Sequence, residues 1–210
     1  MRALEEIFPL HPEERVLADG TYHYLLNAKQ TDVREPWVRY QLGDNTVTRT
    51  LRSDGHSFVL GVKTWGKEGV EFASFYWESA AGCCSANYAL QGNGVRWNLE
   101  GDRPQQELFD QPTCFFPLMR VFSGDTLRAI VANGGCSQVL VPSIKTPEQR
   151  DSLFRPLLSE RTVERLPDGA YHYRGGEYDD GARYELTEEG LLQRYVWQQS
   201  EGELWEVELE

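Results

Sequence analysis

Two arginines offer the clearest chemistry in this sequence. Arg49 stands in Val47-Thr48-Arg49-Thr50-Leu51, and Arg194 stands in Leu192-Gln193-Arg194-Tyr195-Val196. Side chains alternate faces along a strand. Arg49 is therefore expected to share a face with Val47 and Leu51, and Arg194 with Leu192 and Val196. A guanidinium on an apolar face needs a partner, because an unpaired buried charge is costly. One reading makes the two arginines anchors for an acidic or polar ligand group inside a barrel. The other makes each of them half of a structural ion pair, with a carboxylate such as Glu185 or Glu71. In the second segment the opposite face holds Gln193, Tyr195 and Trp197, which makes its assignment as the outer face weak.

Aromatic side chains form the second group. Tyr22 and Tyr24 share a strand face, as do Tyr171 and Tyr173. Rings with polar tips can line a cavity, covering an apolar or sugar-like ligand while the hydroxyls orient it. They can equally make cross-strand packing. Trp37 and Trp77, with Trp65 and Phe75, carry the same two readings. The candidate ligand-binding set is thus Arg49, Arg194, Tyr22, Tyr24, Tyr171, Tyr173, Trp37 and Trp77.

Other reactive types do not assemble into a catalytic signature. His23 and His172 fall opposite the tyrosines and read as surface or half-buried residues. Cys83 and Cys84 are adjacent rather than spaced as CxxC, and Cys114 and Cys136 form no second pair at zinc-ligand spacing. A Cys84–His56 dyad would need the fold to unite distant segments. There is no GxSxG, no P-loop, no dinucleotide fingerprint and no HExxH. No metal and no cofactor are expected, and the chain leans away from being an enzyme.

The elements that position these residues come in two copies. Leu17-Ala18-Asp19-Gly20-Thr21-Tyr22-His23-Tyr24 recurs as Leu166-Pro167-Asp168-Gly169-Ala170-Tyr171-His172-Tyr173. Arg39-Tyr40-Gln41-Leu42 then aligns with Arg183-Tyr184-Glu185-Leu186, and Val47 to Leu51 with Leu192 to Val196. The units run from about 17 to 52 and from about 166 to 197. Each reads as an Asp-Gly turn, two strands, a turn and a third strand. Further strands are expected at Phe58 to Val62, Val70 to Trp77, Asn87 to Leu90, Val95 to Leu99 and Leu204 to Leu209. Leu127 to Val131 and Gln138 to Val141 read as a hairpin about Ala132-Asn133-Gly134-Gly135. One helix is expected from Thr146-Pro147-Glu148, with Leu153, Phe154, Leu157 and Leu158 as its apolar face and Pro156 limiting it. A second short helix or loop is expected at Pro104 to Phe109.

These elements predict an all-β protein. The expected fold is an antiparallel β-barrel or half-barrel with an internal pseudo-two-fold repeat and one or two short helices. No low-complexity linker breaks the chain, so residues 1–210 are expected to form a single β-barrel-like domain. A chain of 210 residues can bury a sizeable core without a metal or disulfide.

Charge narrows the partners. The formal net charge is −12, which repels phosphate backbones and argues against nucleic acid and anionic membrane surfaces. Met1 to Glu6 lacks the apolar stretch of a secretory signal, and no apolar run is long enough to span a bilayer. A cytoplasmic location with reduced cysteines is expected.

The segments Tyr171-His172-Tyr173-Arg174-Gly175-Gly176-Glu177-Tyr178 and Gly190-Leu191-Leu192-Gln193-Arg194-Tyr195 resemble strand units of bacterial half-barrel lipid-binding proteins, namely the putative glycolipid-binding family and the lipoprotein-carrier fold. The resemblance covers roughly 35 residues. It implies a barrel or half-barrel with an apolar cavity for a lipid-like molecule. The expected role is binding of a small apolar, amphipathic or glycolipid-like ligand. A protein-interaction module with a solid core, or an enzyme with a barrel-mouth site, are the alternatives. A ring-lined cavity, a solid interior with an exposed apolar patch, and polar groups converging on one point discriminate the three.

Overall fold

The computed structural model describes residues 4–110, 113–146, 149–176 and 178–210. A short helix, α1 (Leu4–Ile7), precedes seven strands: β1 (Arg15–Leu26), β2 (Lys29–Leu42), β3 (Asn45–Ser53), β4 (Phe58–Gly66), β5 (Phe72–Ser79), β6 (Gly82–Gln91) and β7 (Gly94–Leu99). Two short strands follow, β8 (Gln105–Leu108) and β9 (Thr113–Phe115), and then helix α2 (Ser123–Ala132). The chain ends with β10 (Cys136–Pro142), β11 (Pro156–Arg165), β12 (Tyr171–Gly175), β13 (Tyr178–Leu186), β14 (Leu192–Ser200) and β15 (Glu203–Leu209).

Among the described residues these strands make one fifteen-stranded sheet, in the order β8-β7-β6-β5-β4-β3-β2-β1-β15-β14-β13-β12-β11-β10-β9. The first and last long strands therefore meet in the middle, where Tyr22 faces Leu209 and Tyr24 faces Val207. Every pairing is antiparallel except β9 with β10. Parallel neighbours need a crossover, and α2 supplies it. The sheet curls so that distant strands touch. The rings of Tyr88 on β6 and Phe115 on β9 stack at 6.1 Å, and the Tyr88 hydroxyl donates to the carbonyl of Phe154. The all-β half-barrel expected from the sequence is what forms.

The two sheet faces bury different things. Tyr22, Trp37, Leu60, Val62, Phe75, Tyr173, Tyr184 and Tyr195 belong to the concave core, together with Leu127 and Ile130 of α2. On the convex face the segment from Leu4 to Phe8 covers Val59, Tyr76 and Leu51. The repeat copies lie four places apart in the strand order, β3-β2-β1 against β14-β13-β12.

Several local expectations are corrected. Asp19-Gly20 is not a turn. It lies inside β1, paired with Val38 and Trp37. A β-carbon at Gly20 would fall 3.1 Å from both the Trp37 ring and Leu209, so that glycine serves a close approach. Asp168-Gly169 does form a turn, closed by Gly169 N–H to the Leu166 carbonyl at 3.0 Å. Leu127 to Val131 is helix rather than hairpin, with Ser123, Leu127 and Ile130 recurring on its buried side. Gly134 and Gly135 end it by donating to the carbonyls of Val131 and Ile130, both at 3.0 Å. The helix expected from Thr146 does not form over its described part. Pro147 and Glu148 lie outside the described residues. Residues 150–154 are turns that bury Leu153 and Phe154, and β11 begins at Pro156. A proline fits the first position of a strand, where its missing N–H breaks no ladder bond. Pro104 to Phe109 holds β8 rather than a helix.

Candidate functional site

The concave face contains a buried charge cluster beside a cavity. Glu35 on β2 is fully buried. Its Oε2 accepts from the Tyr24 hydroxyl at 2.7 Å and from Arg52 Nε at 2.8 Å. Its Oε1 accepts the backbone N–H of Arg120 at 2.5 Å. Arg52 Nη2 also donates to the Leu118 carbonyl at 2.7 Å. Glu35 and Arg52 thus hold the loop before α2 against the sheet. Burial opposes the charge of Arg52, yet its neighbours Tyr24 and Glu35 hold its pKa above the ordinary arginine value. Burial is also the chief reason the Tyr24 hydroxyl is pushed well above the usual phenol range.

The cavity lies between that loop with α2 and strands β10 to β13, and it measures about 420 Å³. Phe116, Leu118, Leu127, Val141, Ile144, Leu157 and Leu158 form its apolar wall. Leu157 and Leu158 are each 41% exposed. Tyr173, Tyr178 and Tyr184 form a ring wall. Tyr173 meets Tyr184 at 5.6 Å and Tyr178 at 5.5 Å between centroids, and Tyr184 meets Tyr195 at 5.0 Å. Arg52, Arg120, Lys145 and Arg161 bring positive charge to the lining. The Arg120 guanidinium lies 4.2 Å above the Tyr195 ring, and that of Arg161 lies 5.8 Å from the Tyr173 ring.

Of the eight residues expected from the sequence, Tyr173 lines this cavity. Tyr24 lies behind it, beneath Arg52 at 5.3 Å. Tyr22 and Trp37 are sealed in the core, and Tyr171 and Trp77 are half-buried against it. Trp77 stacks on Phe58 at 5.4 Å.

Neither Arg49 nor Arg194 lines the cavity, which corrects their expected convergence on one ligand. Arg49 is buried on the convex face, where it donates to Glu14 Oε1 at 2.7 Å and to the Pro9 carbonyl at 3.0 Å. Arg194 is partly exposed and pairs with Glu206 and, at 3.5 Å, with Glu208. The ion-pair alternative describes both, with partners other than Glu185 or Glu71. The two are not equivalent in the sheet either. Arg39 pairs with Thr48, whereas its sequence counterpart Arg183 pairs with Val196. A tight Gly43-Asp44 turn joins β2 to β3, but a longer Thr187-to-Leu191 connection and a register shift separate β13 from β14. Loop length sets register, and the shift places Tyr195, not Arg194, toward the core with Leu192.

Sequence reading missed Glu35, Arg52, Arg120, Arg161, Tyr178 and Tyr184 as site residues. Tyr184 was visible in the repeat. Arg161 alternates with Val163 on β11, which puts it on the core face, but that signal reads only once β11 is known as a strand.

No family model matches the chain, and no curated protein matches it. Solved structures do. A DUF1089 family protein from Pseudomonas aeruginosa superposes with a TM-score of 0.51 at 16% identity, covering 75% of this chain and 86% of that one. A β-barrel-like protein of domain of unknown function DUF1849 from Brucella abortus gives 0.53 at 10% identity, covering 91% and 95%. At such identities the likeness concerns the fold, which is barrel-like. No helix among the described residues is long and apolar enough to cross a membrane.

Proposed function

We propose that this protein is a binding protein for a small apolar or amphipathic molecule, held in the cavity between α2 and β10–β13. The observation that carries the reading is a cavity of about 420 Å³ whose wall combines aliphatic side chains with three tyrosines. Pockets for small molecules have this make-up, a mostly apolar lining with a few placed polar groups. Burying an apolar chain there removes both its surface and that of Leu157 and Leu158 from water, at roughly 25 cal/mol for each Å². The glycolipid-like character implied by the resemblance of the repeat units belongs to the same reading. Native mass spectrometry of the purified full chain tests it. A co-purifying small molecule that Leu158→Asp abolishes supports the proposal. An interior that neither carries nor takes up any apolar molecule, including a dodecyl chain, overturns it.

A further inference from the structure

We infer that the cavity's occupant carries an anionic head, a carboxylate or phosphate on an apolar chain, and that Arg161 and Arg120 grip that head. The inference rests on the binding role proposed above and adds the chemistry of the ligand.

Four cationic residues line the cavity, and no carboxylate does among the described residues. Arg52 is already paired with Glu35. Arg161 and Arg120 are different. Among the described residues no carboxylate pairs with either guanidinium. Arg161 is only 9% exposed, yet among the described residues its Nε and Nη1 have no hydrogen-bond partner. Among the described residues Arg120 Nε is buried without a partner as well, and so is the hydroxyl of Ser123, which also lines the cavity. Buried polar groups are normally satisfied, and an unpaired buried charge is among the costliest arrangements a fold can hold. A carboxylate or phosphate suits such a fork, because its oxygens match the spacing of guanidinium N–H groups.

The local geometry is built around these side chains. The Tyr173, Tyr184 and Tyr195 rings touch in series, with Arg161 near one end and Arg120 over the other. Gly176 leaves room for the Arg161 head, since a β-carbon there would fall 1.6 Å from Nη1. The apolar part of the wall, with Leu157 and Leu158, then receives the chain. The whole protein is acidic, at −12, so the cavity is a local reversal of sign. An anion gains nothing from the general surface and is held only where the forks are.

Isothermal titration of the full chain with dodecanoate, dodecyl phosphate, dodecanol and inorganic phosphate tests the inference. Charge-assisted hydrogen bonds predict that dodecanoate and dodecyl phosphate bind at least about tenfold more tightly than dodecanol. Arg161→Met should abolish that preference, while Arg161→Lys should retain part of it. Arg120→Met gives the same test from the second fork should the first variant fail to fold. Dodecanol binding as tightly as dodecanoate overturns the anionic head and leaves the proposed function standing. A preference that survives both Met variants also overturns it. No binding by any dodecyl compound overturns the proposed function itself. Inorganic phosphate binding as tightly as dodecyl phosphate supports the anion site and overturns the apolar chain.

Discussion

Two buried arginines on opposite faces of the sheet have opposite fates. Arg49, on the convex face, is 1% exposed and meets a Glu14 side chain that is 2% exposed. Its ring neighbour Tyr40 lies 5.0 Å below. Arg161, on the concave face, is nearly as buried but has no described counter-charge. Both guanidiniums leave Nε and Nη1 without a hydrogen-bond partner among the described residues, so the difference between them is the counter-charge: Arg49 has a carboxylate and Arg161 has none described. A charge that is buried and unpaired costs stability, and such a cost persists where a function uses it. The contrast separates a convex side that holds the segment around Glu14 in place from a concave side whose buried Arg161 has no described counter-charge.

The largest effect should come from the cluster that closes the concave side. Glu35→Gln removes the charge that Arg52 faces and that Tyr24 and the Arg120 amide donate to. Breaking a buried pair by removing one partner costs about 4–5 kcal/mol. Urea unfolding should show that loss. A loss under about 1 kcal/mol would mean the cluster relaxes or is solvated.

Next comes Arg49→Met, which strands Glu14 and should cost about 3 kcal/mol. Glu14→Gln combined with Arg49→Met should recover much of it, because the two residues act as one unit. The effect should also depend on pH. Burial opposes the charge of Glu14, but the hydrogen bond from Arg49 holds its carboxyl below the usual glutamate value. A carboxylate with a lowered native pKa gives stability that is complete above the unfolded value and is lost as pH falls through the native one. The gap between wild type and Arg49→Met should therefore narrow as the medium becomes more acidic than the glutamate range. A gap that stays constant would remove Glu14 as the partner that matters.

Arg161→Met should go the other way. The guanidinium there has no described counter-charge, and methionine fills much the same space along the stem. The unliganded variant should be as stable as wild type or about 1 kcal/mol more so. Thermal melts measure this directly. A loss comparable with that of Arg49→Met would show that Arg161 has a structural partner, and the contrast between the faces would collapse.

How much of this was legible in the chain follows from what sets each feature. Strands such as β4, β7 and β15 were readable because short runs rich in apolar, aromatic and β-branched residues are local signals. Leu127 to Val131 misled because a short apolar run before Asn-Gly-Gly suits a hairpin and a capped helix equally. Thr146-Pro147-Glu148 misled because helix-start residues also suit a turn. For the site, Tyr173 was readable from the repeat. Arg52, Arg120 and Arg161 were not, since they come from β3, the loop before α2, and β11, and only the curl of the sheet unites them. Face assignment failed at Arg194 for a further reason. Alternation holds only while register holds, and one shift at Glu185/Leu186 swaps the faces beyond it.

That shift yields the smallest and most discriminating expectation. Arg194 matches Arg49 in the repeat, so inheritance of role would give Arg194→Met the same cost as Arg49→Met. The structure instead leaves the Arg194 side chain 43% exposed, between Glu206 and a Glu208 that is itself 52% exposed. Its pairing with Glu206 raises the guanidinium pKa further above its ordinary value, but solvent and salt screen such a pair. Exposed pairs contribute little, so Arg194→Met should change the unfolding free energy by no more than about 0.5 kcal/mol. Raising the salt concentration should shrink even that, while leaving the cost at Arg49 nearly intact because that pair is closed to ions. Equal costs at the two positions in high salt would show that the repeat preserves a structural role across the register shift. Unequal costs would show that the duplicated sequence has been put to two uses, one holding the segment around Glu14 and the other a cross-strand pair facing water.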